Sequence, residues 1–157
     1  MQSIMPCLWF DGRADEAAHF YVSVFKRGRI LDTVWSGEKV LGSPGAVLTV
    51  SFEIDGREFL ALNGGPLYKF TPAISFIANC DTQQELDDLW DKLCRDGQAD
   101  RCGWLADKFG VSWQVVPSSL PEMLQSPDPK VTGRVMTAML QMVKLDIKTL
   151  QDAYDGR

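Results

Sequence analysis

The sequence predicts a single α+β domain built from two βαβββ modules. These form a curved mixed sheet with helices on its outer face, followed by C-terminal helices. Three observations predict this. A β-hairpin with clear turn chemistry lies in the first half, two amphipathic helices each follow an apolar strand, and the order strand, helix, further strands occurs twice. The repeat period of roughly 70 residues is too long for a solenoid and points to duplication within one domain.

The first strand is the apolar run Ile4–Phe10. Residues 13–25 follow as a helix, because Ala14, Ala17, Ala18, Tyr21, Val24 and Phe25 share one stripe while Glu16, His19 and Ser23 lie opposite. Arg29–Trp35 reads as the next strand. Two alternating runs, Val47–Ile54 and Arg57–Asn63, then flank Asp55-Gly56, a two-residue step that calls for a type I′ hairpin. In that register Ile54 faces Arg57, Phe52 faces Phe59 and Val50 faces Ala61. Leu48, Val50, Phe52, Phe59 and Ala61 then share one face, and Thr49, Ser51, Leu60 and Leu62 the other. Glu53 and Glu58 fall opposite each other beside the turn, where exposure is expected. Asn63 to Pro72 is a crossover loop, since Gly64, Gly65, Pro66 and Pro72 break both periodicities.

The second module repeats the order. Ala73–Cys80 is the strand, and residues 83–95 form the helix, with Leu86, Leu89, Trp90 and Leu93 on its stripe. Thr82-Gln-Gln-Glu85 opens that helix as a capping box. Gly103–Lys108 and Val111–Pro117 complete the sheet, and Ser118 and Ser119 are expected to cap the turn before Leu120. In the tail, Asp128-Pro129 supplies an N-cap and a first-turn proline. Val131, Val135, Ala138, Met139, Met142 and Val143 form a stripe that Met136 and Leu140 widen, and Asp146 restarts a short helix. The boundaries expected are residues 1–65 for the first module, 73–117 for the second and 118–157 for the tail, within one domain spanning 1–157.

Composition excludes several classes. At 157 residues the chain can bury a core without staples, and its net charge of −5 offers no footprint for nucleic acid. Its four cysteines (Cys7, Cys80, Cys94 and Cys102) form no CxxC pair, and Cys7 and Cys80 sit in apolar runs where a buried free thiol is expected. The opening residues show no basic, apolar and small-residue succession of a signal peptide, so none is expected, and no apolar run reaches bilayer length. A reduced, cytoplasmic protein with no membrane partner is therefore expected.

Several segments resemble the PhnB-like family of the vicinal oxygen chelate superfamily, which includes glyoxalases, bleomycin-resistance proteins and dioxygenases. They are Leu8-Trp-Phe-Asp-Gly12, Phe20-Tyr-Val-Ser-Val-Phe25, Ala61-Leu-Asn-Gly-Gly-Pro66, Ala73-Ile-Ser-Phe76, Thr82-Gln-Gln-Glu85, Cys102-Gly-Trp-Leu105 and Phe109-Gly-Val-Ser-Trp-Gln-Val-Val-Pro117. Many members of this family carry the label 3-demethylubiquinone-9 3-methyltransferase. The resemblance implies the glyoxalase-like fold, and on this scaffold one fold hosts many chemistries.

It also implies where a metal would sit: one His or Glu from the first and last strand of each half. Here those positions hold Met5 or Cys7, then Leu60, Ser75 and Gln114. None is His, Asp or Glu, so no metal is expected. His19, the one histidine, belongs on the polar side of the first helix. A methyltransferase of the common fold needs a glycine-rich turn leading into a helix. Gly64-Gly65 leads into Pro66 and a loop, so no cofactor motif is present.

What remains is a cavity-lining set of mixed character: Trp9, Thr49, Ser51, Leu62, Ser75, Ile77, Asn79, Ser112 and Gln114. Apolar walls with a few aimed polar groups suit a small-molecule ligand, and the same groups could instead satisfy one another. Tyr68 and Phe70 could close over the pocket or plug the core, and Trp104 and Trp113 are read as packing residues, Trp113 on the helix side. The expectation is a metal-free small-molecule-binding homodimer. A metal-dependent lyase, isomerase or dioxygenase, and the quinone methyltransferase of the family label, stand as alternatives.

Overall fold

The computed structural model describes residues 2–37 and 45–157. In chain order these form β1 (Cys7–Phe10), α1 (Ala14–Val24), β2 (Gly28–Trp35), β3 (Val47–Ile54) and β4 (Arg57–Asn63). Then come β5 (Ser75–Cys80), α2 (Gln83–Cys94), β6 (Gln98–Ala99), β7 (Trp104–Ala106) and β8 (Ser112–Pro117). Three helices follow: α3 (Leu120–Leu124), α4 (Pro129–Leu140) and α5 (Ile147–Asp155). The chain divides into two compact units between Phe70 and Thr71.

In the first unit the strand order is β1-β4-β3-β2, with β1 parallel to β4 and the other pairs antiparallel. The hairpin pairs Ile54 with Arg57, Phe52 with Phe59 and Val50 with Ala61, as the alternation predicts. Asp55 and Gly56 have φ of 53° and 78°, the two positive values that a type I′ turn requires. The covered face buries Val50, Phe52, Phe59 and Ala61 beneath Ala14, Ala17, Ala18, Tyr21 and Val24 of α1. Tyr21 stacks on Phe52 and Phe52 on Phe59, at ring-centre separations of 5.9 and 5.3 Å. Each such buried side chain contributes roughly 1.5–3 kcal/mol through removal of apolar surface from water.

The start of α1 is secured from a distance. Arg13 at its N-cap offers no side-chain bond. Asn63, at the end of β4, instead accepts the Ala14 N–H through Oδ1 at 2.8 Å and donates Nδ2 to the Val47 carbonyl at 3.0 Å. One amide thus satisfies an orphan helix donor and ties it to two strands.

The second unit repeats the topology as β5-β8-β7-β6, with β5 parallel to β8. Here α2 caps itself locally. Thr82 Oγ1 accepts the Glu85 N–H at 3.2 Å, and Glu85 reaches back to the Asp81 N–H at 3.1 Å, one residue beyond the reciprocal partner of a standard capping box. Leu86, Trp90 and Leu93 are buried against the sheet. The tail begins as read, since Asp128 accepts the Lys130 N–H and Asp146 the Thr149 N–H.

Several expectations change. β1 starts at Cys7, because Pro6 has no N–H to give a ladder and contributes only its carbonyl, to Leu60 N–H at 3.0 Å. Cys7 is exposed, whereas Cys80 is buried as expected; the β1 side chains alternate, and Leu8 and Phe10 take the covered face. β5 starts at Ser75, and β6, the two exposed residues Gln98 and Ala99, is too short to show a period. Neither Ser118 nor Ser119 caps α3 through its hydroxyl; Ser118 donates to Asp81 at 2.7 Å instead. α4 stops at Leu140. The carbonyls of Met142 and Val143 then accept the N–H groups of Cys102 and Gly103 at 2.9 and 2.8 Å, a pairing that helical geometry would forbid. Leu145, just beyond, is fully buried.

Candidate functional site

Each sheet has one face covered by its own helix and one face that no element of the same unit covers so fully. In the first unit this open face carries the rungs Trp9–Leu62–Thr49 and Cys7–Leu60–Ser51, taken across β1, β4 and β3. Trp9, Thr49, Ser51 and Leu62, all expected to line a cavity, are half-buried here and share that face. Trp9 is already engaged. Its indole N–H donates to the Gly65 carbonyl at 2.9 Å, and its ring meets Tyr68 edge-on at 5.0 Å. A Cβ on Gly64 would fall 2.3 Å from that ring, so this glycine makes room for Trp9. Phe70 lies elsewhere. It packs edge-on against Phe10 at 5.2 Å, and Phe10 points to the covered side, so the half-buried Phe70 packs at the edge of the core there.

This face is charged at its turn end. Glu53 and Glu58 are cross-strand partners as read. Arg29 on β2 forks onto Glu53 with contacts of 3.1 and 3.2 Å, and this bonding pushes the guanidinium further into its charged form. Asp32 stands beside Ser51.

The open face of the second unit is neutral. Its rungs are Asn79–Val116, Ile77–Gln114–Trp104 and Ser75–Ser112–Ala106. Ile77 is 59% exposed, Asn79 is exposed, and Ser75, Gln114 and Trp104 are half-buried, while Ser112 is buried. Gln114 Nε2 donates to Ser75 Oγ at 2.9 Å. Trp104 departs from its expected packing role. Its register partner is Gln114, which puts the indole on the open face, whereas Leu105 and Trp113 alternate to the covered one. Sequence alternation alone could not assign Trp104, because the length of the turn linking β7 to β8 fixes the register.

That turn depends on a residue the sequence did not single out. Asp107 is only 3% exposed. Its carboxylate accepts the N–H groups of Phe109 and Val111 at 2.9 and 3.1 Å and the Trp113 indole N–H at 2.9 Å. Trp113 is thereby fixed on the helix side, as expected.

The positions that would hold a metal do not suit one. Leu60 and Gln114 occupy equivalent rungs, opposite Cys7 and Ile77, which makes Met5 and Ser75 the matching earlier positions. A thioether, a hydrocarbon, a hydroxyl and an amide lack the imidazole or carboxylate donors a divalent ion needs. Among the described residues no group of three or more His, Cys, Asp or Glu could hold a metal. His19 is exposed on α1, its Nδ1 2.9 Å from the Asp15 carbonyl.

A shallow groove of about 590 Å³ lies between α4 and α5, lined by Lys130, Gly133, Arg134, Thr137, Gln141 and Arg157 among others. Its arginines are committed: Arg134 donates to the Ala153 and Tyr154 carbonyls at 2.7 and 2.9 Å, and Arg157 pairs with Asp155. The chemistry therefore favours the sheet faces.

Comparison with known proteins agrees with this architecture. The family model described as 3-demethylubiquinone-9 3-methyltransferase matches residues 2–116. The PhnB protein from Bacillus cereus is 34% identical over 74% of this chain and 100% of its own, with a TM-score of 0.69. Protein PA1353 from Pseudomonas aeruginosa shares the fold at 20% identity, 74% and 98% coverage, and a TM-score of 0.63. The fosfomycin resistance protein FosX from Mesorhizobium loti shares it at 14% identity, 80% and 100% coverage, and a TM-score of 0.54. No curated protein matches the sequence.

Proposed function

We propose a function from one premise: the chain belongs to the family described as 3-demethylubiquinone-9 3-methyltransferase and, within the vicinal oxygen chelate superfamily, is PhnB-like. On that premise it binds a small molecule on its open sheet surface without a metal, as a cytoplasmic homodimer. One observation carries this reading. The open face of the second unit keeps an exposed Ile77 and a half-exposed Trp104 around the Ser75–Gln114 hydrogen bond, which is the make-up of a ligand surface. The donor set Met5, Leu60, Ser75 and Gln114 argues against the metal-dependent lyases, isomerases and dioxygenases of the same superfamily.

The family description itself names a second reading, methyl transfer to a quinone. Against it, Gly64 accommodates Trp9 and the following residues form no helix on whose N-terminus an adenosyl cofactor could rest. No helix among the described residues is long and apolar enough to cross a membrane. The homodimer draws support from α4, where Met136 and Leu140, with Val143 beyond, leave an exposed apolar stripe while Val135 is buried beneath.

The decisive experiment screens the full chain against a small-molecule set by thermal shift, with metal content measured on protein purified without chelator. Ligands that raise Tm in metal-free protein fit this reading. Stoichiometric metal required for binding would overturn it, and calorimetric binding of S-adenosylmethionine would favour the second reading. Light scattering is expected to give twice the monomer mass, and Leu140→Glu is expected to lower it; a wild-type monomer would remove the homodimer.

A further inference from the structure

We infer that the open face of the second unit selects an uncharged, planar ligand bearing a hydrogen-bond donor and an acceptor side by side, as in a carboxamide or lactam. This rests on the small-molecule reading above and specifies it.

The argument begins with the Ser75–Gln114 pair. With Gln114 Nε2 donating to Ser75 Oγ at 2.9 Å, the Ser75 hydroxyl proton and the Gln114 Oε1 remain for a ligand. If the amide is turned over, the hydroxyl donates to Gln114 Oε1, leaving the Gln114 NH₂ as donor and a Ser75 lone pair as acceptor. Both orientations offer one donor and one acceptor on neighbouring atoms. A carboxamide matches that pair whichever way it enters, whereas a carboxylate can use only the donor and must desolvate a full charge against an acceptor.

The surroundings impose the same preference. No ionisable side chain stands on the rungs of β5, β8 and β7 that form this face, so nothing on those rungs compensates a charged ligand. Lys108, in the turn beyond, sits over the Phe109 ring at 5.2 Å. Trp104 is the cross-strand neighbour of Gln114 on the same face, at the short side-chain spacing such partners have. It is half-exposed and its indole N–H makes no hydrogen bond among the described residues, so it offers a flat wall beside the polar pair. Ile77, opposite Gln114 on the other flank, places a second apolar side chain beside this neutral polar pair. The corresponding rung of the first unit, Cys7–Leu60–Ser51, has Leu60 where Gln114 stands and cannot make the same recognition.

The test uses two isosteric probes, benzamide and benzoate, titrated into ¹⁵N-labelled full-length protein. Benzamide is expected to move the Gln114 side-chain NH₂ and Trp104 indole N–H resonances, and benzoate to bind about tenfold or more weakly. In Ser75→Ala the benzamide response should fall several-fold and its advantage over benzoate should shrink. Equal or stronger binding of benzoate at these resonances overturns the inference while leaving small-molecule binding intact. So does benzamide binding that ignores Ser75→Ala in a folded variant. Silence of these resonances to both probes overturns the inference as well, and silence to a whole fragment set would remove the binding reading with it.

Discussion

The two units run the same topology but secure it by different means. In the first, the N-terminus of α1 is held by Asn63, 49 residues away in sequence, and the strands beneath it turn on a two-residue Asp55-Gly56 step with positive φ at both positions. In the second, α2 is capped by its own Thr82, and the corresponding strands turn around Asp107, a buried carboxylate with three donors. The first unit thus closes its helix start by a long-range amide and its hairpin by a two-residue step; the second closes both locally, the helix start by a cap three residues away and the turn by a buried carboxylate within six residues of its donors. Equivalent positions in a repeat need not carry equivalent energetics.

Substitutions can break this comparison, and Asp107→Leu should do so most severely. It strands three donors around a buried site and should cost about 3 kcal/mol or more, read from the midpoint of urea unfolding. A loss under 1 kcal/mol would mean that water reaches the turn. Asn63→Ala comes next, at about 2 kcal/mol, because it releases the Ala14 N–H and the Val47 carbonyl together. Gly56→Val should cost about 1–2 kcal/mol by forcing a branched residue into left-handed backbone, and a variant as stable as wild type would refute the turn type. Thr82→Ala, the local counterpart of Asn63→Ala, should cost only about 1 kcal/mol. A Thr82 loss equal to the Asn63 loss would erase the distinction between local and long-range capping.

The mildest effect belongs to acid. Bonding from Lys144, then Gln83, lowers the Asp87 carboxyl below the ordinary aspartate value, and the Thr149 amide lowers that of Asp146. The unfolded chain therefore binds protons at these sites more readily, so their stabilisation is present above the ordinary aspartate value and is lost as pH falls through the lowered ones. Both sites are open to solvent, so the loss should be small and confined to the docking of α5. Helix content followed from pH 5 to pH 2 should show it, and Asp146→Asn should flatten that part of the curve.

Legibility in the sequence followed the reach of each interaction. The Val47–Asn63 hairpin was readable to the individual pair because alternation and the Asp-Gly step act over adjacent residues. Strand parity placed Trp9 and Ser75 on the open faces for the same reason. Asn63 looked like part of a glycine-rich loop, since nothing nearby reveals that its amide reaches a helix start. Asp107 stood unremarked within the expected strand Gly103–Lys108, because its role depends on the Trp113 indole N–H that donates to it across the turn. Of the two readings open for Phe70, packing on the covered side holds, and Trp104, read as a packing residue, stands half-buried on the open face, because a loop path and a register are encoded by no local period.

The strap from Met142 to Ile147 ties the tail to the second sheet. The match to the family model ends at residue 116, yet the amides of Cys102 and Gly103, inside the matched region, are satisfied by carbonyls from the strap. Gln83, at the first turn of α2, likewise donates to the Leu145 carbonyl and accepts the Ile147 N–H. Leu145 lies so close to Gly103 that a Cβ there would meet it at 3.0 Å. A chain ending where the family match ends would leave these groups to solvent. The tail is therefore not a detachable appendage: it takes part in the hydrogen-bonding of the matched region, and a shortened protein would need compensating changes at Gln83, Cys102 and Gly103 before it could do without it.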